Sequence, residues 1–407
     1  MLHCGLLGET LGHSYSPAIH AQLGSYEYLL YEKPETELDT FLKSGRFDGL
    51  NVTIPYKKAV VPYCAELSDF ARSIGSVNTL VHRADGTLFG DNTDAYGFAS
   101  MIRKSGITVT GKKVLVLGSG GASVTVCAVL QSLGAGTVVV ISRNGENNYG
   151  NLDLHADAEI VVNTTPVGMF PHNGTSPVDL SLFPACKGVL DIVYNPARTS
   201  LLLQAEARGI PHLGGLHMLV AQAKRSSELF TGAAIEAVQI DRIEQTLAAS
   251  MQNIILIGMP GSGKSSIANA LAARLQRPIF DSDTEIVSRS GNEIPAIFAS
   301  AGEAAFRDLE SDVLADLGKQ SGIILATGGG SVLRASNYPA LHQNGTIFWI
   351  VRDIDALPTD GRPLSQRNNL HTMFTNRKPK YEAFADYVID NNGRLDNAVD
   401  QILEVLS

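Results

Sequence analysis

Short apolar runs along the chain are followed by glycine and then by segments with helical spacing. Residues 113–117 (KVLVL) precede Gly118, and residues 254–257 (IILI) precede Gly258. A strand that is buried on both faces of a parallel sheet reads as a continuous apolar run, not as an alternating one. The pattern therefore predicts an α/β chain with parallel sheets. The two glycine loops differ in spacing and do not indicate an internal repeat.

Two changes in this pattern indicate domain boundaries. Apolar residues at Ile235, Val238, Ile243 and Leu247 predict a helix over residues 235–247. A new strand begins at Ile254, so we expect a short linker at residues 248–252. A minor boundary is expected at residues 104–106, ahead of the strand that leads to Gly118.

Composition restricts the class of protein. A chain of 407 residues is long enough for two or three domains, and 44% hydrophobic against 18% charged residues excludes wholesale disorder. The formal net charge of −9 argues against a general nucleic-acid binder, because phosphate affinity depends on basic charge. Apolar runs stay far below the roughly 20 residues of a membrane span, no signal peptide is apparent, and the four cysteines form no CxxC pair. We therefore expect a soluble cytoplasmic protein without nucleic-acid or membrane partners.

A phosphate-binding loop stands at the start of the C-terminal part. Residues 258–265 read GMPGSGKS and match GxxxxGK[ST] in full, between an apolar strand and a helical segment. The glycines let backbone N–H groups surround the phosphates, Lys264 reaches the β- and γ-phosphates, and Ser265 can hold Mg²⁺. The motif predicts a nucleoside triphosphate site.

A second glycine loop is less specific. Residues 118–123 read GSGGAS, which departs from the dinucleotide pattern GxGxxG but also lies between a strand and a helix. The loop alone leaves open a pyrophosphate site and an ordinary tight turn. The next strand ends at residues 142–144 (SRN), where a reader of a ribose 2′-hydroxyl would be acidic. Arg143 suits a 2′-phosphate instead and favours NADP over NAD.

Further motifs give both parts of the chain a family resemblance. Residues 1 to about 248 resemble shikimate dehydrogenase through segments 12–17 (GHSYSP), 51–57 (NVTIPYK), 75–79 (GSVNT), 90–94 (GDNTD), 163–169 (NTTPVGM), 191–196 (DIVYNP) and 218–223 (MLVAQA). Residues from about 252 to 407 are similar to shikimate kinase through the phosphate loop, 281–283 (DSD), Gly302–Glu303 with Phe306, Arg307 and Glu310, 328–330 (GGG), 362–364 (RPL), and Arg377 with Pro379 and Tyr381. The resemblance implies a fusion of two successive enzymes of the shikimate pathway to aromatic amino acids.

The resemblance also implies a domain organisation. Residues 1–104 would form the α/β substrate-binding and catalytic domain of the dehydrogenase, completed by helices at about 217–248. Residues 105–216 would form a Rossmann-type NADP domain, and residues 252–407 a P-loop kinase domain with a parallel sheet.

For the dehydrogenase, the resemblance implies that Lys57 is the general acid/base and that Asp94 orients it. Substrate-binding residues would be Ser14, Ser16, Thr53, Asn78, Asp94, Tyr194 and Gln222. NADP-binding residues would be Asp69, Gly118, Ser119, Gly120, Gly121, Ala122, Arg143, Ile192 and Gly215. Ser14 and Ser16 could also cap a helix, and the two roles are compatible.

For the kinase, the resemblance implies that Asp283 binds the substrate hydroxyls and helps to deprotonate the attacking one. Arg307 and Arg377 would hold the substrate carboxylate beside Gly329, and Arg362 would be the lid arginine over the phosphates. ATP would be bound by Gly261, Ser262, Gly263, Lys264, Ser265, Ser266, Arg362 and Arg394, and Mg²⁺ by Ser265 and Asp281.

Two segments depart from the family pattern, and two alternatives stay open. Residues 144–151 (NGENNYGN) have loop chemistry where the family continues with a second basic residue and a helix, so NADP preference depends on Arg143 almost alone. The kinase segment from Val351 to Arg362 is short and lacks the usual basic helix end. The alternatives are a dehydrogenase of broad quinate/shikimate specificity fused to the kinase, and a non-catalytic metabolite sensor. Self-association through the dehydrogenase half is left open.

Overall fold

The first part of the chain builds a mixed sheet. The computed structural model describes residues 1–12, 14–357 and 367–406, with the backbone alone for 367–369. The elements of the first sheet are β1 (His3–Gly8), α1 (Ser16–His20), β2 (Glu27–Glu32), α2 (Glu35–Ser44), β3 (Gly49–Val52), β4 (Glu66–Leu67), α3 (Asp69–Ile74), β5 (Thr79–His82), β6 (Leu88–Asp91) and α4 (Asp94–Ser105). The strand order is β2-β1-β3-β5-β6-β4. Strand β5 is antiparallel to β3 and to β6, so this sheet is mixed where the apolar pattern predicted parallel sheets.

The second sheet is parallel throughout. Its elements are β7 (Lys113–Leu117), α5 (Gly121–Ser132), β8 (Thr137–Ile141), β9 (Ile160–Asn163), β10 (Gly188–Asp191), α6 (Ser200–Ala207) and β11 (His212–Leu213), followed by α7 (Leu216–Thr231) and α8 (Val238–Met251). The strand order is β11-β10-β9-β7-β8. Val114 and Val116 of β7 pack on one face of the sheet, whereas Leu115 and Leu117 pack on the other. Burial on both faces explains the continuous apolar run.

The third sheet, also parallel, has the order β13-β14-β12-β15-β16. These strands and their helices are β12 (Asn253–Ile257), α9 (Lys264–Leu275), β13 (Ile279–Asp281), α10 (Ser282–Ser290), α11 (Ile294–Lys319), β14 (Ile324–Ala326), α12 (Asn337–His342), β15 (Gly345–Val351), α13 (Arg367–Phe384), β16 (Tyr387–Asp390) and α14 (Leu395–Leu406). Ile254 and Leu256 face one core cluster, and Ile255 and Ile257 face the other. The predicted α/β class is confirmed.

The predicted helix before the third sheet is displaced and longer than expected. Helix α8 begins at Val238, not at Ile235, and it continues to Met251 through the segment that we expected to be a linker. The buried residues Ile240, Ile243, Leu247 and Met251 continue one apolar stripe with helical spacing. Alanines at 248 and 249 also favour helix.

The chain divides into two units. The first unit contains Met1–Met169, Thr175–Tyr194 and Leu201–Thr246, and the second contains Phe170–Gly174, Asn195–Ser200 and Leu247–Ser407. Among the described residues, no helix combines the length and the apolar character that crossing a membrane would require.

Candidate active sites

A cavity of 1240 Å³ lies within the first unit. This volume exceeds the roughly 300–1000 Å³ that is usual for one small ligand. Its walls include nearly all residues predicted for the dehydrogenase: Ser14, Ser16, Thr53, Lys57, Asn78, Asp94, residues 118–122, Arg143, Ile192, Tyr194, Gly215 and Gln222. The structure does not bring Asp69 to this cavity. The Asp69 side chain is fully exposed at the start of α3, with one carboxylate oxygen 3.9 Å from Arg72.

An ion pair between Lys57 and Asp94 lies in the cavity wall. The Lys57 Nζ donates to Asp94 Oδ2 over 2.5 Å, and the side chains are only 20% and 6% exposed. Asp94 is the first residue of α4, so its carboxylate lies at the positive end of the helix dipole. A buried, helix-stabilised carboxylate can hold and orient the ammonium group without competition from much water.

The serines and the tyrosine predicted at the substrate meet at the start of α1. The Ser14 hydroxyl accepts a hydrogen bond from the Ser16 backbone N–H, while Tyr15 is the N-cap of α1 and makes no capping bond with its side chain. The Tyr15 ring packs edge-on against Tyr194, with centroids 5.9 Å apart. Burial raises the pKa of Tyr194, which keeps its hydroxyl neutral.

Backbone geometry fixes which way two amide side chains point. The Thr93 backbone N–H, which can only donate, lies 2.7 Å from Asn78 Oδ1. The Asn78 Nδ2 therefore faces the other way and donates to Gln222 Oε1 over 3.2 Å. As a result, Gln222 has its NH₂ group left to donate to a ligand in the cavity.

Three buried hydroxyls lie beneath these amides. The Oγ1 atoms of Thr79 and Thr93 and the Oγ of Ser226 lie 3.0–3.1 Å from one another. Asn51 donates to Ser226 over 2.7 Å, and its own Oδ1 accepts from the Tyr28 hydroxyl. We call Thr79, Thr93 and Ser226 the hydroxyl cluster. It connects β5, the start of α4 and α7 below the cavity floor.

The first glycine loop brings backbone N–H groups to the same cavity. Gly118 follows β7 with φ +104°, and a Cβ there would lie 2.8 Å from Thr165 Cγ2. Helix α5 begins at Gly121, and its N-cap residue is Gly120, which has no side chain that could cap the helix. Gly215 approaches the backbone of Ile192 so closely that a Cβ would overlap its carbonyl oxygen. The uncapped start of a twelve-residue helix is suited to a diphosphate.

The second unit contains the phosphate loop between β12 and α9. Lys264 is buried, and its Nζ donates to the carbonyl oxygens of Gly258 (2.9 Å) and Met259 (3.0 Å). Ser265 donates to Asp281 Oδ2 over 3.1 Å, and the other oxygen of Asp281 caps α10. The pair Ser265–Asp281 thus brings together two oxygen atoms, the ligand type that Mg²⁺ prefers. Asn391, which the sequence did not predict, donates to the Ser262 carbonyl and packs against Gly263.

Acidic and basic groups converge beside Gly328–Gly330. A Cβ on Gly328 would lie 2.5 Å from Asp283 Oδ1, and Arg377 donates to the Gly329 carbonyl over 2.9 Å. Arg307 donates to Glu310 over 2.6 Å, while its buried Nε has no hydrogen-bond partner in the described part of the chain. Burial raises the pKa of Glu310, and Arg307 opposes that effect.

Two further residues predicted for the kinase are Arg362 and Arg394. Arg362 falls outside the described residues. Arg394 is exposed, ahead of α14, and its carbonyl accepts from Asn397. Within the described ranges, one group of potential metal ligands is formed by His217, Asp241 and Glu244. The Lys104 ammonium lies 2.7 Å from Asp241 and 2.9 Å from Glu244, so we assign no metal to it.

The cavity wall also contains residues to which the sequence assigned no role. Tyr149 and His20 line it, together with Met218 and Leu219. Burial lowers the pKa of His20 to about 3, so this imidazole is neutral. It stacks on Tyr28 with ring centroids 3.9 Å apart. Met218 and Leu219 form the apolar part of this lining, and a search of the first turn of α7 in the sequence could have found them.

Comparison with known proteins gives the same assignment for both parts. Residues 6–80 match the family model of the shikimate dehydrogenase substrate binding domain, and residues 260–407 match that of shikimate kinase. A shikimate dehydrogenase (NADP(+)) of Clostridium perfringens is 34% identical over 264 residues, which are 60% of this chain and 97% of the relative.

Solved structures agree with this assignment. A chorismate mutase/shikimate 5-dehydrogenase fusion protein from Clostridium acetobutylicum is 36% identical, with a TM-score of 0.58, over 61% of this chain and 97% of that one. The shikimate 5-dehydrogenase of Thermus thermophilus, solved in complex with NADP(H) and shikimate, is 32% identical with a TM-score of 0.56, over 60% and 99%. The predicted resemblance is confirmed: the chain belongs to the shikimate dehydrogenase family through its N-terminal part and carries a shikimate kinase domain in its C-terminal part.

Proposed function

We propose that this chain is a bifunctional enzyme that reduces 3-dehydroshikimate to shikimate with NADPH and then phosphorylates shikimate to shikimate 3-phosphate with ATP. The observation that carries the proposal is the buried Lys57–Asp94 pair in the same cavity as the first glycine loop. The complete phosphate loop of the second unit supports the second reaction. We also propose the organisation into domains at 1–104 (completed by about 217–248), 105–216 and 252–407. Four unpaired cysteines fit a cytoplasmic site of action.

Reduction of the ring ketone needs a proton donor beside the carbonyl oxygen, and NADPH supplies the hydride when it is bound. Lys57 Nζ would give its proton to that oxygen, and Asp94 would hold the ammonium in place. The NH₂ group of Gln222 and the hydroxyls of Ser14, Ser16 and Tyr194 would hold the substrate with neutral hydrogen bonds. Such bonds suit a small polyhydroxy acid.

The residues at the first glycine loop fit a bound NADP. Gly118 has a conformation that favours glycine, and the start of α5 lines the cavity without a side-chain cap. The exposed Arg143 lines the same cavity beyond the end of β8. Its guanidinium group would contact the 2′-phosphate.

In the kinase domain, charge and position would do most of the catalytic work. Lys264 would exchange its two carbonyl partners for ATP phosphates, and Ser265 with Asp281 would hold Mg²⁺. Asp283 would accept from the attacking hydroxyl of shikimate. Arg307, oriented by Glu310, and Arg377 would bind the shikimate carboxylate. Arg362 remains our proposed lid residue and Arg394 a proposed contact to ATP.

Two lysine variants test the proposal. We expect Lys57→Ala to lower the NADPH-dependent reduction of 3-dehydroshikimate by at least about a hundred-fold, because it removes the proton donor. Phosphorylation of added shikimate should stay within about two-fold of the wild type. Lys264→Ala should give the reverse pattern, with a comparable loss of phosphorylation. Each activity is measured separately by NADPH absorbance and by ADP release.

Lys43→Ala is the matched control, since Lys43 is exposed and forms an ion pair with the exposed Asp39. Quinate replaces shikimate in a parallel assay of the oxidation direction, so equal rates would favour the broad-specificity dehydrogenase. Binding of both ligands without turnover in the wild type would favour the metabolite sensor and overturn the proposal.

A further inference from the structure

The segment after Arg143 forms a closed loop built largely from asparagines. Strand β8 ends at Ile141, and the next helical turn begins at Leu152. Between them, the Ser142 N–H donates to the Asn147 carbonyl, and the Asn148 N–H donates to Asn151 Oδ1 over 2.8 Å. We call residues 144–151 the asparagine loop.

Side-chain amides fix the shape of the asparagine loop. Asn148 Nδ2 donates to the Gly145 carbonyl over 3.1 Å, and its Oδ1 accepts from the Gly150 N–H over 2.9 Å. Asn151 Nδ2 donates to the Glu146 carbonyl over 2.9 Å. The loop is also anchored from outside, because Asn147 Oδ1 lies 3.0 Å from the Nε2 of the buried His155. Asparagine suits such turns because its side chain bonds to nearby backbone groups.

This arrangement presents one aromatic ring to the cavity. Tyr149 is half-buried, lines the cavity with Ser142 and Arg143, and packs against the core cluster beneath β7 and β8. Its hydroxyl has no hydrogen-bond partner within the described residues, so the ring and not the hydroxyl accounts for its position. Burial raises the pKa of Tyr149, and the charge of Arg143 opposes that effect, which is consistent with their proximity.

We propose that Tyr149 is the stacking surface for the adenine ring of the dinucleotide. The inference depends on the proposed NADPH-dependent activity and adds the residue that binds its purine. A planar base at this end of the cavity would lie against a ring that the asparagine loop has already positioned, which lowers the ordering cost of binding. Stacking on an aromatic ring is tolerant of base identity and contributes to affinity for both NADPH and NADH.

Tyr149 and Arg143 should therefore act on different parts of the cofactor. Replacing Tyr149 with Ala should raise the KM for NADPH and for NADH by the same factor, about ten-fold or more. Arg143→Ala should raise the KM for NADPH alone, because NADH has no 2′-phosphate. Reduced nicotinamide mononucleotide, which lacks adenosine, should show the same rate with Tyr149→Ala as with the wild type.

Two conservative variants separate stacking from packing. Tyr149→Phe keeps the ring and should keep the cofactor KM within about two-fold. Tyr149→Leu keeps an apolar contact with the core but no ring, and it should behave like Tyr149→Ala. Titration of the full-length variants with adenosine 2′,5′-bisphosphate by calorimetry should give the same order of affinities. Shikimate kinase activity of the same samples monitors folding of the other unit.

Each outcome has a separate meaning. Full affinity in Tyr149→Leu, or an effect that extends to reduced nicotinamide mononucleotide, would overturn the adenine assignment while NADPH-dependent activity persists. An absence of any NADPH-dependent reduction in the wild type would contradict the proposed function itself. The control Tyr63→Ala removes a half-buried tyrosine outside the cavity and should leave all cofactor constants unchanged.

Discussion

At the scale of single residues, the hydroxyl cluster determines what the cavity floor offers to a ligand. Thr79, Thr93 and Ser226 are at most 1% exposed, so their protons must be shared with protein atoms. Asn78 Oδ1 accepts from the Thr79 hydroxyl over 3.0 Å as well as from the Thr93 N–H. These donors hold the Asn78 amide in one orientation. The Asn78 amide in turn fixes the orientation of the Gln222 side-chain amide.

Ser226→Ala tests this arrangement. Ser226 accepts from Asn51 over 2.7 Å and donates to the Gln222 carbonyl over 3.0 Å. Its loss removes the shorter of the two bonds that Asn51 Nδ2 makes to the hydroxyl cluster and leaves the 3.3 Å bond to Thr79. An unsatisfied buried donor costs about 1–3 kcal/mol. We expect a several-fold rise in the shikimate KM, an unchanged NADP⁺ KM and a less stable first unit. The kinetics of NADP⁺-dependent shikimate oxidation and urea unfolding measure these effects.

Ser227→Ala provides the control, because Ser227 is equally buried on the next position of α7 but lies outside the hydroxyl cluster. A rise in KM as large as that of Ser226→Ala would show that any cavity in α7 has this effect. A Ser226→Ala enzyme with wild-type kinetics would show that Asn78 and Gln222 need no such support.

The sequence indicated the residues of the site wherever each one lies in a short motif of its own. Lys57 and Asp94 each lie in such a motif, and the structure places their side chains 2.5 Å apart. Ser226 and Tyr149 could not be found in this way. Ser226 matters because α7 packs over β5 and α4, and Tyr149 because a loop closes on itself. Both depend on contacts that no local spacing contains.

At the scale of elements, glycine decides how α11 is built. Gly302 has φ +82° and ψ 174°, which divides the helix into two segments. Arg307 lies in the first turns of the second segment, so the kink sets the direction from which it approaches Glu310 and Gly330. Gly302 and Arg307 stand in one motif of the kinase resemblance, but their spacing alone could not show that the glycine breaks a helix.

Gly302→Ala should therefore affect both stability and substrate binding in the kinase. An L-residue in this backbone region costs about 1–3 kcal/mol. We expect a less stable second unit and a several-fold higher shikimate KM in the phosphorylation assay, with little change in the ATP KM. Gly291→Ala is the matched control, since Gly291 also has a positive φ (+67°) at the end of α10. It should lower stability without moving the shikimate KM, and an equal shift in both variants would contradict the positioning role of the kink.

Elements were predictable where burial is complete. The runs 113–117 and 254–257 became β7 and β12 because both faces of these parallel strands are covered. The mixed first sheet was not predicted, since antiparallel pairing of β5 depends on its partners β3 and β6 and leaves no clear mark in its short sequence TLVH. The end of α8 differs from the prediction because buried Leu247 and Met251 extend the apolar stripe of the helix through the expected linker.

At the scale of the whole molecule, the residues proposed for each reaction belong to one unit. The Lys57–Asp94 pair and the first glycine loop belong to the first unit, and Lys264, Asp281 and Asp283 belong to the second. Because no residue of either proposed mechanism is taken from the other unit, each reaction should proceed when the other is disabled. The overall conversion should then need only that shikimate is released and bound again.

A mixture of two disabled chains tests this independence. Neither Lys57→Ala nor Lys264→Ala alone should convert 3-dehydroshikimate to shikimate 3-phosphate in the presence of NADPH and MgATP. An equimolar mixture should restore the conversion, because shikimate formed by one chain can diffuse to the other. The mixture should first show a lag in which free shikimate accumulates. Its steady rate of shikimate 3-phosphate formation should then match that of the wild type at the same concentration of each intact site. Continuous NADPH absorbance with quenched samples for phosphorylated product measures both phases. The contrary result has two parts: the wild type shows no lag, and the mixture forms shikimate 3-phosphate more slowly than the wild type at every shikimate concentration. Both together would mean that the two sites exchange shikimate within one chain.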